Sequence, residues 1–573
     1  MSIDPLLDPA LSASTLEASI ASSDAMAVEV TLRAAQTTES GHVERAGLAR
    51  ATSLLAVGTV ASRFFGFAQE LLMAHFFGTK GGLVDAFQIA ITIPRDLYDL
   101  AISGHVNSAL VPVLSEYAER DREALWQLLN NLLGLIIVIL SGITLLLEIF
   151  AEPVVEIYRG ILNPDAMALT VSLLRITTPA LLALGIFAIT SGTLYALRRF
   201  SAPAFGSALF NGTVVGALVL LAPLIGIERA AIGWVLGAVV QMALQFTGLR
   251  TAFKRPLRPN FNLRVALKQP GVRRIGKLYA PVALSLVFDV LINRTFSYHL
   301  ASQTGSGNIA YMNWATSLRE FPMGLVGTAI SIAILPTLAR QALDKEQRQA
   351  FVDTLGQGIR LVLTLILPAT IGLFVLAGPL IGLMFENGAF TATNTTITAL
   401  VLRLYLLGIP FAAVDLLLIF AFYANKDTLT PALIGVVSLV CYMLITLGLQ
   451  SQYGFYALMI ADSVKFLIHT GLSFYILSRR IGGMRSQRLL RTLLKTGFAT
   501  VLTGLAAYGV LHGLTTLFDT DLTRESAPVT LRFLLVFAPS AAGGFVYVAL
   551  VYVMRIREFT WFIDLIRQRA TKH

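Results

Sequence analysis

Residues 62–112 read SRFFGFAQELLMAHFFGTKGGLVDAFQIAITIPRDLYDLAISGHVNSALVP, two long apolar segments that contain charges. Arg63 lies within the first segment, and Arg95, Asp96 and Asp99 follow a proline within the second. A charged side chain at the centre of a bilayer costs roughly 2.5–3.5 kcal/mol, so such residues normally face a water-filled cavity or a buried partner. This stretch therefore predicts two membrane helices that line a polar cavity.

The composition of the chain is that of a polytopic membrane protein. Of its 573 residues, 55% are hydrophobic and 14% are charged, with a mean hydropathy of +0.71, whereas soluble domains are about 25% charged. The net charge of +10 does not indicate a nucleic-acid partner, because the basic residues cluster in short loops between apolar segments. A single cysteine, Cys441, excludes an intrachain disulfide and a multi-cysteine metal site.

Apolar segments of about 20 residues, the length needed to cross a bilayer, recur along the chain from Ala51. Residues 1–48 are polar, lack the apolar core of a secretory signal and predict a disordered extension. The all-α prediction that follows has fourteen transmembrane helices, near 51–76, 84–115, 127–150, 167–196, 203–225, 230–250, 276–302, 309–339, 355–384, 394–423, 430–450, 454–477, 493–516 and 529–554.

Lysine and arginine are unevenly distributed between the connecting loops. Residues 250–277 hold nine basic side chains and no acidic one, and residues 478–495 are also basic and free of acid. The loops on the opposite side, such as SQTGSGN and FENGAF, are poor in basic residues. Because basic loops stay in the cytoplasm, both termini are predicted to be cytoplasmic in a multi-pass protein of the bacterial cell membrane.

The chain contains an internal repeat. Residues 175–204 match residues 403–432 at an offset of 228, and residues near Pro112 echo those near Pro336 at an offset of 224. The first six spans therefore resemble the next six, as in transporters built from parallel repeats. We predict an N-terminal lobe at 49–250, a basic cytoplasmic linker at 251–275, a C-terminal lobe at 276–478, and two additional helices with a cytoplasmic tail at 479–573.

Sequence motifs of soluble enzymes and ATP-driven pumps are absent from the chain. It has no phosphate-binding GxxxxGK, no GxGxxG after a strand and no visible nucleophile–base set, so it is predicted to be a transporter without catalytic residues. Its histidines lack metal-ligand spacing, and neither a metal nor a bound cofactor is expected. Energy would come from an ion gradient, the membrane potential or product removal, and Asp289 or Asp415 could take a coupling cation of unknown identity.

Several motifs occur in an order that resembles the MurJ/MviN lipid II flippase family, part of the larger multidrug, oligosaccharidyl-lipid and polysaccharide exporter group. They are SRFFGFAQELLMAHFFG and DAFQIAITIP in the first two spans, LREFPMGLVGTAISIAILPTLAR in the eighth, and FYANKDTLTPA after the tenth. The resemblance covers residues 50–554. It implies that the protein moves an undecaprenyl-diphosphate-linked peptidoglycan precursor from the inner to the outer leaflet. Membrane lipids would surround such a protein, and proteins of cell-wall synthesis could be its partners.

The family lines its cavity with arginines, which suit a diphosphate because a guanidinium stays charged and binds phosphate as a fork. Arg63 matches the first of these positions, but the chain departs from the pattern at several others, namely Gln69, Tyr98, Asp99, Ser103, Thr316 and Ser317. The predicted substrate-binding residues are Arg63, Gln69, Asp85, Arg95, Asp99 and Arg319.

Charged residues of this set could form ion pairs within the protein instead of binding the substrate. Arg63 and Glu70 are seven positions apart, so they share a helix face and could pair with each other, and Asp85 is another carboxylate that could pair with Arg63. Arg95 and Asp99 have the i,i+4 spacing of a helix-surface ion pair.

Three functional hypotheses follow from the sequence. The first is a flippase that moves lipid II from the inner to the outer leaflet by alternating access. The second is an exporter of another lipid-linked oligosaccharide or polysaccharide precursor, and the third is a membrane scaffold without transport activity. The departures from the arginine pattern favour the second and third relative to a typical family member.

Overall fold

The computed structural model describes residues 42–102, 104–159, 164–518 and 528–556. Nearly all of these residues are helical, and no strand occurs among them, which confirms the all-α prediction. The described residues form two compact units, which are divided between Ile309 and Ala310. The predicted lobe and linker boundaries remain predictions.

The first unit contains α1 to α12. Their bounds are α1 His42–Phe77, α2 Leu83–Ile102, α3 Gly104–Arg120, α4 Arg122–Ile149, α5 Ala151–Arg159, α6 Pro164–Thr177, α7 Ala180–Ala196, α8 Ser201–Leu220, α9 Glu228–Phe253, α10 Leu263–Lys268, α11 Pro270–Leu286 and α12 Thr295–Thr304. A short 3-10 turn, Lys80–Gly82, precedes α2, and a π-helical segment, Val287–Arg294, joins α11 to α12.

The helix α13, Asn308–Pro322, contains the sequence boundary between the units, and the second unit continues from it. Its further helices are α14 Ala329–Ala342, α15 Arg348–Met384, α16 Ala392–Leu406, α17 Ile409–Ala424, α18 Leu429–Tyr453, α19 Tyr456–Arg480, α20 Leu489–Leu517 and α21 Val529–Val553. A second π-helical segment, Met323–Thr328, follows Pro322. Short 3-10 turns occur at Lys345–Gln347 and Arg485–Gln487.

Among the described residues, ten helical segments are long and apolar enough to cross a membrane, and eleven if α16 and α17, bent by 42°, are taken as one span. The remaining three predicted spans, 51–76, 84–115 and 276–302, are helical where described, but each includes residues whose side chains are not described. The predicted count of fourteen is therefore not confirmed.

The internal repeat is visible in the helix boundaries. The starts of α6, α8 and α9 recur in α16, α18 and α19 at the offset of 228 seen in the sequence, and α7 recurs in α17 within one residue. The loops repeat as well: Arg198 and Lys426, 228 positions apart, both have positive φ values, of 57° and 59°. Such φ values are uncommon for residues other than glycine, so the two copies share a specific turn.

Close backbone packing positions the first helix. At Gly58 in α1 a Cβ atom would lie 2.0 Å from the carbonyl oxygen of Ala204 in α8, a distance that no side chain could accept. One turn further along, Asn211 Nδ2 donates to the Ser62 carbonyl at 3.0 Å. Because successive helical residues point about 100° apart, this contact turns Arg63 away from α8.

Candidate functional site

Arg63 lies in the middle of α1 and is exposed. It follows Ser62, which contacts α8, and precedes Phe64, which is 70% exposed. An exposed guanidinium on an apolar helix can reach an anion in a fork geometry. Two predictions for Arg63 therefore remain predictions: contact with a substrate phosphate in the cavity, and pairing with Glu70.

Gln69 and Asp85 are both buried, with exposed fractions of 9% and 4%. Asp85 near the start of α2 accepts a hydrogen bond of 2.6 Å from the backbone N–H of Gly307. Gly307 has a φ of 89° in the loop before α13, a conformation that favours glycine. The carboxylate of Asp85 therefore holds a tight turn, which gives it a structural contact besides its predicted role at the substrate.

A buried ion pair links α2 to the π-helical segment of the first unit. The Asp96 carboxylate, fully buried, accepts a hydrogen bond from Arg294 Nη1 and another, of 3.0 Å, from the Tyr158 hydroxyl. Arg95 and Asp99 are close enough for their charges to act on Asp96. Arg95 and Asp99, two of the predicted site residues, thus lie near Asp96. The sequence analysis notes the charge of Asp96 but does not predict it as a site residue.

Arg319, at the end of α13 in the second unit, has a carboxylate partner. Its Nη1 donates to Asp462 Oδ2 at 2.7 Å, and Lys465 Nζ donates to Asp462 Oδ1 at the same distance. All three side chains are 12–14% exposed, and the Arg319 guanidinium lies 4.8 Å from the Tyr405 ring centroid. A guanidinium has five N–H donors, so Arg319 retains donors for a phosphate oxygen while it binds Asp462.

The same helix, α19, carries a second buried polar pair. His469 Nδ1 lies 2.7 Å from Asp415 Oδ1 of α17, and the Ser473 hydroxyl lies 3.4 Å from the same nitrogen. Both side chains of the pair are under a tenth exposed. The sequence analysis noted Asp415 as a candidate for a coupling cation, but it did not predict the contact with His469.

The described residues contain no group of three or more His, Cys, Asp or Glu side chains that could hold a metal ion. The Asp289 side chain, the other carboxylate considered for a coupling cation, is not among the described side chains. Each of the two units has a carboxylate with a cationic partner, the buried Asp96 in the first and the partly buried Asp462 in the second, and the second unit adds the pair of Asp415 and His469.

The sequence of the chain matches that of known proteins. The sequence model of the lipid II flippase MurJ family matches residues 73–524. A protein named lipid II flippase MurJ from Burkholderia cenocepacia is 30% identical over 458 residues, which cover 78% of this chain and 87% of that protein. A probable lipid II flippase MurJ from Haemophilus influenzae is also 30% identical, over 442 residues covering 72% and 84% of the two chains.

Solved structures show the same fold. A lipid II flippase MurJ in an inward closed conformation superposes with a TM-score of 0.71 at 22% identity, covering 90% of this chain and 99% of that one. An inward-facing multidrug resistance transporter of the MATE family superposes with a TM-score of 0.61 at 12% identity, covering 74% and 96%. With the sequence match over residues 73–524, these findings establish that the chain belongs to the lipid II flippase MurJ family.

Proposed function

We propose that this chain is a flippase that moves lipid II, an undecaprenyl-diphosphate-linked peptidoglycan precursor, from the inner to the outer leaflet of the bacterial cytoplasmic membrane. The observation that carries the proposal is the family match over residues 73–524, together with relatives named for this activity at 30% identity. Membership in a family of flippases makes the chain a transporter and not an enzyme. Membrane lipids surround it, and proteins of cell-wall synthesis are its proposed protein partners.

Alternating access is the mechanism that we propose for this movement. The two repeats of six helices support it, because transporters of parallel repeats expose a central site to each side in turn. The first residues of α6–α9 and α16–α19 recur at an offset of 228, or within one residue of it. In this proposal both termini and the basic loop at 250–277 are cytoplasmic.

The charges of the site fit a diphosphate better than a neutral headgroup. Arg63 is exposed on α1, and Arg319 and Lys465 supply two cations beside the single carboxylate of Asp462. Glu320, next to Arg319, also acts on that guanidinium, so the excess of positive charge near α13 is small. Arg63 is therefore the residue to which we assign first contact with the phosphates.

A second candidate substrate is another lipid-linked saccharide, favoured by two specific residues. The family has an arginine at the position of Gln69, and this glutamine is buried. Asp99 places an acid where the family tends to carry a cation, near the buried Asp96. A headgroup with fewer negative charges, or with polar sugars at these positions, would suit them.

Proteoliposomes of the purified full chain test the lipid directly. Fluorescent lipid II is placed in one leaflet, and its appearance in the other is followed with an impermeant quencher, beside vesicles that carry an undecaprenyl-diphosphate lipid with a different saccharide. We expect lipid II to cross faster than in protein-free vesicles and faster than the second lipid. Lipid II crossing no faster than in protein-free vesicles would refute the proposal, and faster crossing of the other lipid would establish the second candidate.

A further inference from the structure

The pair formed by Asp415 and His469 joins two helices of the second unit, α17 and α19. Asp415 is the seventh residue of α17, and His469 is near the middle of α19, both within candidate membrane spans. The two side chains are 7% and 8% exposed, and Nδ1 and Oδ1 are 2.7 Å apart. An ionisable side chain within a membrane span is energetically unfavourable, so such residues usually mark an ion or proton path.

The repeat provides an internal comparison for this pair. At the offset of 228, Asp415 corresponds to Phe187 in α7, and His469 corresponds to Gln241 in α9. The helices that carry these residues, α7 and α17 and likewise α9 and α19, have the same bounds to within one residue in the two copies. Gln241 is 3% exposed, and its backbone carbonyl accepts a hydrogen bond from Gln245 Nε2. The first copy thus forms the same helices with neutral residues, so the fold does not require the acid or the histidine.

Helix α19 is held firmly against the bent span that carries Asp415. Gly408, at the bend between α16 and α17, packs so closely that a Cβ atom there would lie 2.8 Å from the Ser463 Cα. Gly408 N donates to Tyr405 O, and the Leu404 carbonyl accepts from the Ser463 hydroxyl at 2.7 Å. Thr470 Oγ1 donates to Phe411 O at 2.9 Å. These contacts fix the distance between the two members of the pair.

The second nitrogen of the imidazole faces a residue without a side chain. His469 Nε2 lies 3.8 Å from the position that a Cβ atom of Gly435 in α18 would occupy. When Nδ1–H donates to the Asp415 carboxylate, Nε2 is the basic nitrogen. A proton that arrives there converts imidazole to imidazolium, and Asp415 Oδ1, 2.7 Å from Nδ1, stabilises the new charge.

Other ionisable side chains lie on the helices packed against the pair. They are Tyr456, Asp462, Lys465, Tyr475, Arg479 and Arg480 on α19, Tyr423 on α17, Cys441, Tyr442 and Tyr453 on α18, Arg403 and Tyr405 on α16, Arg348, Asp353 and Arg360 on α15, and Arg340 on α14. Lys465 binds Asp462 at 2.7 Å, Arg403 donates to Phe374 O at 3.1 Å, and Arg360 donates to Gln487 O at 3.0 Å. His469 and Ser473 are the side chains that act directly on the Asp415 carboxylate.

We propose that Asp415 and His469 form a proton-binding site inside the membrane, and that H⁺ is the ion coupled to lipid movement. The coupling rests on the flippase function proposed above, whereas the proton site itself does not. In each cycle one proton from one aqueous side binds His469 Nε2 and leaves to the other side, so the pair returns to its starting charge. Histidine suits this role because its charge changes between pH 5 and 8.

Proton binding is tested without any transport. The full chain, labelled with ¹⁵N at its seven histidines, is placed in lipid nanodiscs and titrated by NMR. We expect one ring signal that is absent in His469→Gln and that changes from the neutral to the protonated form of the ring as the pH is lowered in the native chain. Asp415→Asn should shift its midpoint. A His469 signal that keeps one protonation state throughout the titration would overturn the proton site.

Coupling is tested at equilibrium in proteoliposomes with the membrane potential clamped at zero. If one proton exchanges per lipid, a gradient of one pH unit drives lipid II to a leaflet ratio of about ten, because one pH unit is a tenfold difference in proton activity. His469→Gln, which installs the residue of the first repeat copy, should leave the ratio near one. The matched control His512→Gln, at an exposed site on α20, should keep the native ratio.

Each outcome separates the two proposals. Lipid II that crosses at the same rate and ratio with and without the gradient overturns proton coupling and leaves the flippase intact. A titrating His469 in a chain that moves no lipid II refutes the flippase and its coupling, and leaves the proton site standing. Should His469→Gln fail to fold, Gly435→Ala replaces it: a methyl group 3.8 Å from Nε2 should slow proton exchange without removing either member. Unchanged exchange in that variant contradicts the proposed entry at Nε2.

Discussion

Arg63 is the cation that the sequence pattern and the exposed position on α1 both favour for phosphate contact. A hydrogen bond to a charged partner contributes about 1.5–3 kcal/mol, so Arg63→Ala should lower the transport rate by about tenfold to a hundredfold while abundance stays near normal. Arg63→Lys should restore only part of it, because the point charge remains but the fork is lost. Complementation at matched expression, followed by the vesicle assay, measures the loss.

The alternative for Arg63 is a structural pair with Glu70 on the same helix face. In that case the loss in Arg63→Ala arises from an unneutralised carboxylate, and Arg63→Ala combined with Glu70→Ala should regain activity. We expect the double variant to stay as inactive as the single one. Recovery would remove Arg63 from the substrate site.

Asp96 and Arg294 form an ion pair in the first unit, with exposed side-chain fractions of 0% and 23%. Removing one member of a buried pair destabilises a protein by about 3–5 kcal/mol, because the other charge is left without its partner. Asp96→Asn should therefore lower thermal stability in detergent strongly, and adding Arg294→Gln should recover most of it. Equal stability of the single and double variants would show that the pair contributes little.

At the scale of the helix, the contact of α1 with α8 depends on glycine. Gly58→Ala places a Cβ atom 2.0 Å from the Ala204 carbonyl oxygen. The oxygen is a backbone atom and the Cβ atom is bonded to the backbone, so no side-chain rotation relieves the clash. Overpacking of this kind typically costs about 1–3 kcal/mol, so the variant should unfold at lower temperature than the native chain.

Gly142 in α4 is the matched control for this prediction. A Cβ atom there would meet nothing within 4 Å, and alanine favours a helix over glycine by about 1 kcal/mol. Gly142→Ala should therefore be neutral or stabilising in the same thermal assay. A Gly58→Ala protein as stable as Gly142→Ala would mean that α1 and α8 separate at no cost.

For the whole molecule, the distribution of basic loops predicts the orientation in the membrane. In a Cys441→Ala background, Ser306→Cys should react with an impermeant maleimide added to intact cells. Lys268→Cys, in the basic loop after α9, should react only after permeabilisation. Both positions are exposed, so accessibility on the two sides of the membrane is what the assay compares. Equal labelling of both in intact cells would exclude the proposed topology.

The sequence by itself determined the helical spans and the repeat. Both depend on local properties: the free energy of each apolar segment in lipid depends on its own side chains, and the turns at Arg198 and Lys426 arise from matching stretches. Hydropathy could not establish how many segments cross the membrane, because the first, second and seventh combine apolar runs with charges such as Arg63, Asp96 and Arg294.

Only the tertiary structure decided which charges meet. Every member of the pairs was visible in the sequence, yet Asp96 bonds Arg294 at a separation of 198 residues, Arg319 bonds Asp462 at 143, and Asp415 bonds His469 at 54. A charge in an apolar span is strongly driven to find a partner, but which partner it finds depends on the faces that distant helices turn towards one another. That choice is made when the helices pack, so no local pattern around Asp415 could indicate a histidine on α19.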